Sequence, residues 1–213
     1  MAGPVTGSGA PRTPLQIGLT GGIGSGKSTL GGMLRDCGAA LVDADACARA
    51  VTAAGGAAIP AIRAAFGDDF IDAQGALDRS RMRECVFADA GAKLRLEGIV
   101  HPLVTDAIAQ ATRNAAAEGY RLIVLDIPLL VESRARWTRV LDAVIVVDCT
   151  PATQIARVQA RSGLAAEAVQ AIIAAQATRA ERCAAADIVV FNEGISLLEL
   201  HTTARRITAR FGL

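Results

Sequence analysis

Leu15-Gln16-Ile17-Gly18-Leu19-Thr20-Gly21-Gly22-Ile23-Gly24-Ser25-Gly26-Lys27-Ser28-Thr29 decides the fold of this chain. Leu15–Thr20 reads as a short apolar strand that runs directly into a glycine-rich turn. A helical pattern follows from Lys27 to about Cys37, and Gly38 is placed to end it. Gly21–Ser28 satisfies G-x-x-x-x-G-K-[ST] between a strand and a helix, the context that pattern requires. The glycines allow positive φ and close backbone approach, so successive N–H groups can surround phosphate oxygens. The helix N-terminus adds partial positive charge. In such a loop Lys27 reaches the β- and γ-phosphates and the Ser28 hydroxyl ligates Mg²⁺.

Working outward, Ala40–Val42 is a second strand closed by Asp43 and Asp45, and Leu122–Asp126, Ala143–Asp148 and Ile188–Phe191 are three more. All are rich in Val, Ile and Leu without alternation, as parallel strands covered on both faces require. The expectation is therefore an α/β fold: three layers of P-loop NTPase type around a mainly parallel five-stranded sheet. Residues 15–213 form one such domain, and the Gly/Pro/Ser/Thr-rich residues 1–14 read as a disordered tail with no signal-peptide core. Residues 46–120 exceed what one crossover helix needs and read as a helical insertion over the site. Leu96, Ile99, Val100, Leu103, Val104 and Ile108 lie on one stripe there, and Pro102 is expected to kink or break the helix. Residues 151–186 form a second helical excursion, the expected lid, with Thr150 as N-cap and Pro151 as first residue.

Composition narrows the possibilities. Across 213 residues, 22 basic side chains face 21 acidic ones, a balance that argues against a general nucleic-acid binder. No apolar run approaches the roughly 18 residues that cross a bilayer. The five cysteines are scattered and form no C-x-x-C pair, which argues against a disulfide scaffold or zinc site and fits a cytoplasmic protein with reduced thiols. A monomer is the expected state. Of the 22 basic residues only Lys27 and Lys93 are Lys. A chain this committed to Arg keeps Lys in the phosphate loop because a compact point charge fits between phosphates where a planar fork does not.

Neither lysine is preceded by Asn, so the N-K-x-D guanine motif of a GTPase is absent. Asp126 and Asp148 each read equally as a Walker-B acid or a strand-end cap. A small-molecule kinase remains, and it needs a base, lid arginines and an acceptor subdomain. Asp43-Ala44-Asp45 supplies the base, since a strand's carboxyl end lies on the ligand-binding edge of such sheets. Asp45 is the choice for accepting the proton of an attacking hydroxyl, with Asp43 left to a Mg²⁺ water or to the strand end. The alternative is a pair of solvated carboxylates, one capping the next helix. Arg157 and Arg161 lie four apart on one helix face, where they either stabilise a transferring phosphoryl group or form an exposed basic face.

Taken in order, these residues resemble the dephospho-CoA kinase family over most of the chain. Ile17–Thr29 looks like its opening signature, and Asp43-Ala44-Asp45 with Arg49 like its second-strand motif. Leu96-Glu97, His101-Pro102, Pro128-Leu129-Leu130 with Glu132, Gln154, Gln176, Ala186-Asp187 and Asn192-x-Gly194 complete the series. The resemblance implies phosphoryl transfer from ATP, with Mg²⁺, to the ribose 3′-hydroxyl of dephospho-CoA, giving coenzyme A and ADP. Gly24, Ser25, Gly26, Lys27, Ser28 and Thr29 would hold the ATP phosphates, and Asp45 would be the base. Arg157 and Arg161 would be lid contacts, with Asn192-Glu193-Gly194 near the adenine. Arg49, Arg79 and His101 fall in regions expected to face the acceptor, though His101 also fits a hydrogen bond at the kink beside Pro102. Ser162 and Glu193 depart from the family pattern, which has an acidic and a small polar residue at these places. Other readings are a kinase for a nucleotide or shikimate-like acceptor and a regulator that binds ATP without transfer.

Overall fold

The computed structural model describes residues 13–213, so residues 1–12 of the expected tail lie outside them. The elements run β1 (Leu15–Gly21), α1 (Lys27–Asp36), β2 (Ala40–Asp43), α2 (Ala44–Val51), α3 (Ile59–Phe66), a single 3₁₀ turn (Asp68–Phe70), α4 (Arg79–Ala88), α5 (Ala90–Ala117) and β3 (Leu122–Asp126). They continue with α6 (Arg134–Trp137), β4 (Ala143–Asp148), α7 (Pro151–Ser162), α8 (Ala166–Ala175), α9 (Arg179–Ala184), β5 (Ile188–Phe191) and α10 (Leu197–Arg210). The five strands form one parallel sheet in the order β2-β3-β1-β4-β5. β3, β4 and β5 keep the bounds read from the sequence, while β1 and β2 each gain one residue.

The uninterrupted apolar strands are explained by cover on both faces. Leu122 and Val124 point to one side, with Ile17 and Leu19, and pack on α1 and α10 through Leu30, Leu34, Leu200 and Ile207. Ile123 and Leu125 point to the other, against Ile108 and Ala115 of α5 and against Trp137. Each such Leu or Ile, fully buried, stabilises the fold by about 1.5–3 kcal/mol. Thr150 caps α7 by accepting the Thr153 N–H, and Pro151 opens the helix, as the sequence indicates.

Between β2 and β3 lie α2, α3, α4 and α5, and Pro102 does not break α5, which runs 28 residues. Gly98, the residue whose carbonyl loses its N–H partner, is exposed, as is Pro102, so water can serve that carbonyl. The helix is also held at both ends. Leu96, Ile99, Val100 and Leu103 pack in a cluster with Val51, Ile62 and Met82 of the insertion, and Ile108 and Ala115 pack on the sheet. Val104 belongs to both clusters.

Candidate active site

The phosphate loop leaves β1 at the carboxyl edge of the sheet, where all five strands point their ends. Gly26 is the N-cap of α1 at φ 94° and ψ 17° and provides no side-chain cap. The first N–H groups of α1 are thereby left for an anion. A Cβ on Gly26 would run into Asn192 Nδ2, so both the positive φ and the crowding demand glycine. In front of the loop lies a cavity of about 370 Å³, lined by Gly21–Thr29 together with Asp45, Pro128, Arg161 and Gln176.

Lys27 Nζ donates to Asp126 Oδ1, and both side chains are largely buried. Asp126 ends β3, the strand next to β1, in register with Leu19 on one side and Asp43 on the other. Burial pushes the Asp126 carboxyl up from the usual range; the Lys27 ammonium opposes that shift, while Asp43 and Asp45 add to it. Asp148, the other strand-end acid, faces elsewhere. It accepts from Arg179 Nε at 2.8 Å, and the Arg179 guanidinium lies 5.5 Å from the Phe191 ring centroid. The ambiguity between the two acids is thus resolved by their partners: β3 and β4 both flank β1, but Lys27 pairs with Asp126 and Arg179 with Asp148.

The two aspartates after β2 divide their work. Asp43 is the N-cap of α2, accepting the Ala46 N–H at 3.0 Å, and it pairs with Arg49 at 3.4 Å. Asp45 is exposed and faces the cavity. Arg79, the first residue of α4, donates to Oγ1 of Thr52, the C-cap of α2, at 3.1 Å, while Arg49 lies on α2 itself. His101 is exposed on α5, and its ring makes no hydrogen bond among the described residues. Arg49, Arg79 and His101 do not line the cavity.

The two arginines of α7 also separate. Arg161 lines the cavity, whereas Arg157 sits against the outer, carbonyl side of the loop. Arg157 donates to the Ser25 carbonyl at 3.2 Å and to the Asn192 carbonyl at 2.9 Å. Asn192 Nδ2 donates to the same Ser25 carbonyl. Glu193 accepts from the Thr150 N–H at 2.7 Å and from both the Thr150 and Thr153 hydroxyls at 2.9 Å, tying the segment after β5 to the start of α7. The Thr150 N–H, above all, holds its carboxyl below the ordinary Glu range. Ser162 donates to the Val158 carbonyl at 2.8 Å, and Arg161 has no ion-pair partner among the described residues.

The donor set suits magnesium. Ser28, Asp45 and Asp126 offer hard oxygens beside the loop, yet no three or more His, Cys, Asp or Glu side chains form a metal cage among the described residues. An ion held chiefly by phosphate oxygens and water, with one or two protein ligands, is the pattern of Mg²⁺ with a nucleotide.

A phosphate loop that opens onto a cleft, with Asp45 on one wall and Arg161 of α7 on another, is built for a small acceptor beside a nucleotide. The class is that of the P-loop small-molecule kinases. Within it, the chain belongs to the dephospho-CoA kinase family, whose sequence model matches residues 15–197. The dephospho-CoA kinase of Albidiferax ferrireducens is 53% identical over 199 residues, covering 93% of each chain. That of Bordetella parapertussis is 53% identical over 180 residues, covering 84% of this chain and 82% of its own. Among solved structures, a Thermus thermophilus protein superposes with a TM-score of 0.78 at 33% identity, over 93% of this chain and 98% of its own. Shikimate kinase of Bacteroides thetaiotaomicron shares the fold alone, with a TM-score of 0.52 at 16% identity over 93% of this chain and 99% of its own.

Proposed function

We propose that phosphoryl transfer takes place in the cavity between the phosphate loop, α2 and the lid helices α7 and α8. Membership of the family makes the reaction ATP-dependent phosphorylation of dephospho-CoA in coenzyme A biosynthesis. The observation that carries the placement is that Gly21–Thr29 and Asp45 line one cavity, so a donor on the loop and an acceptor against α2 meet there.

The N–H groups of Gly24–Thr29 bind the β- and γ-phosphates, and Lys27 turns from Asp126 to the γ-phosphate when nucleotide enters. Asp45 orients the ribose 3′-hydroxyl of the acceptor and accepts its proton as the oxygen attacks. Arg161 stabilises charge on the transferring group. Arg157 and Asn192 brace the loop from behind, a role deduced from their bonds to the Ser25 carbonyl. Ser28 and Asp126 would hold the magnesium ion, which supplies neutralisation of phosphate charge. Arg49 on α2 and Arg79 on α4, beside the end of α2, offer two cations for the phosphates of the acceptor, and His101 extends that wall along α5. The proposed setting is the cytoplasm, where the five free thiols stay reduced, and the proposed state is a monomer.

A coupled assay tests the whole. ADP is expected to form from ATP only when dephospho-CoA is present, with the phosphate recovered on the ribose 3′-oxygen. Turnover that continues when the acceptor lacks that hydroxyl would overturn the assignment.

A further inference from the structure

Ile23, within the phosphate loop, is gripped at both of its backbone polar groups by side chains of the lid. Its N–H donates to Gln176 Oε1 at 3.0 Å, and its carbonyl accepts from Gln154 Nε2 at 2.7 Å. Gln154 lies on α7 and is only 2% exposed, and Gln176 ends α8 and lines the phosphate cavity. The two amides therefore have fixed and opposite polarity, one accepting and one donating.

These bonds set two peptide planes. In a trans peptide the C=O and N–H point in opposite directions. The Gly22–Ile23 plane is pinned at both ends, because Gln176 takes its N–H while its carbonyl accepts the Ser25 N–H at 3.1 Å. The next plane has its carbonyl drawn to Gln154, which aims the Gly24 N–H away from α7. The loop backbone packs closely on α7 here, since a Cβ on Gly22 would strike Gln154 Nε2. The segment carrying Gln176 is anchored in turn: the Ala177 N–H donates to Glu132 at 2.7 Å, and the Ala177 carbonyl accepts from the buried Arg182.

We propose that Gln154 and Gln176 are positioning residues that pre-aim the Gly24 N–H at the nucleotide phosphates, Gln176 being the half that transmits the position of the lid. This rests on the reading of the loop as the ATP phosphate site. Gln176→Ala removes the acceptor for the Ile23 N–H. Gln176→Glu keeps an oxygen in that place. Two readouts follow in the nucleotide-free, full-length enzyme: amide exchange at Ile23, and affinity for ATP against adenosine, which lacks phosphates.

For Gln176→Ala the expected result is faster exchange at Ile23 and ATP binding weakened about tenfold, the size of one neutral hydrogen bond, with adenosine affinity unchanged. Gln176→Glu is expected to keep the wild-type protection of Ile23. Unchanged exchange at Ile23 in Gln176→Ala, or equal losses for ATP and adenosine, would overturn the proposal. Lys27→Ala tests the underlying reading separately: if it leaves ATP affinity intact, the loop is not the phosphate site. If Lys27→Ala weakens ATP binding while Gln176→Ala does not, only the positioning role fails.

Discussion

Asn192 Nδ2 and the Ser25 carbonyl are joined by a 2.8 Å hydrogen bond across 167 residues of chain. It closes the end of β5 onto the phosphate loop, and Arg157 completes the closure by donating to both the Ser25 and Asn192 carbonyls. Asn192 is buried, so Asn192→Ala is expected to cost about 1–3 kcal/mol and to lower Tm by about 2–4 °C per kcal/mol, readable by calorimetry. The same variant should raise KM for ATP more than it lowers kcat, because the loop it slackens binds the phosphates. Arg157→Lys should behave alike, since an ammonium cannot span the two carbonyls.

Lys27 and Asp126 form the second testable pair. Lys27→Arg conserves charge in a chain that otherwise prefers Arg, yet it replaces a point charge with a wide planar fork between β1 and β3. A fall of about 10²–10³-fold in kcat is expected, with circular dichroism unchanged. Asp126→Asn should lower kcat as well and raise the magnesium concentration needed for half-maximal rate. A magnesium titration that matches wild type would remove Asp126 from the metal's surroundings.

The aspartates after β2 make opposite predictions. Asp45→Asn is expected to lower kcat by about 10²–10⁴-fold with KM for ATP nearly unchanged, the effect of losing a general base. Asp43→Asn should leave kcat close to wild type, because Asn caps a helix about as well as Asp. Steady-state kinetics on the two variants separates base from cap.

Glu193 gives a pH dependence. Its folded-state pKa is depressed, so its stabilising effect is complete above the ordinary Glu pKa of about 4.3 and is lost as pH falls through the lower folded value. Glu193→Gln should therefore lower Tm at pH 7, and the gap from wild type should close on acidification below about pH 4. A gap that stays constant from pH 7 to pH 3 would show that the carboxylate's charge plays no part in holding Thr150.

How much of this was legible beforehand depends on range. The strands are readable because each is a dense apolar run, closed by Asp or Gly in four of the five and followed by Asn192 in the last, and the loop because its spacing is fixed by local backbone geometry. The D-x-D pair was located, but which aspartate capped α2 was a matter of one hydrogen bond. Asp126 is ambiguous beside Asp148 because β3 and β4 both flank β1, and the choice turns on which acid meets Lys27, a contact across 99 residues of chain. Gln176 stood in the family pattern without a role, since its partner is a backbone N–H 153 residues away. Arg157 and Arg161 looked equivalent on a helix face, and only the packing of α7 on the loop tells them apart. Pro102 carries a local cost to its helix, which the two flanking clusters outweigh.

α5 has a consequence for how the enzyme's specificity can be changed. One continuous rod both roofs the sheet, through Ile108 and Ala115, and forms the spine of the insertion, through Leu96 and Leu103. A graft that exchanged everything between β2 and β3 would also replace the helix that covers Ile123 and Leu125 on one face of the sheet. Swapping acceptor recognition with a related kinase would have to splice within α5, ahead of Val104, so that the donor's module inherits this chain's own roof beam.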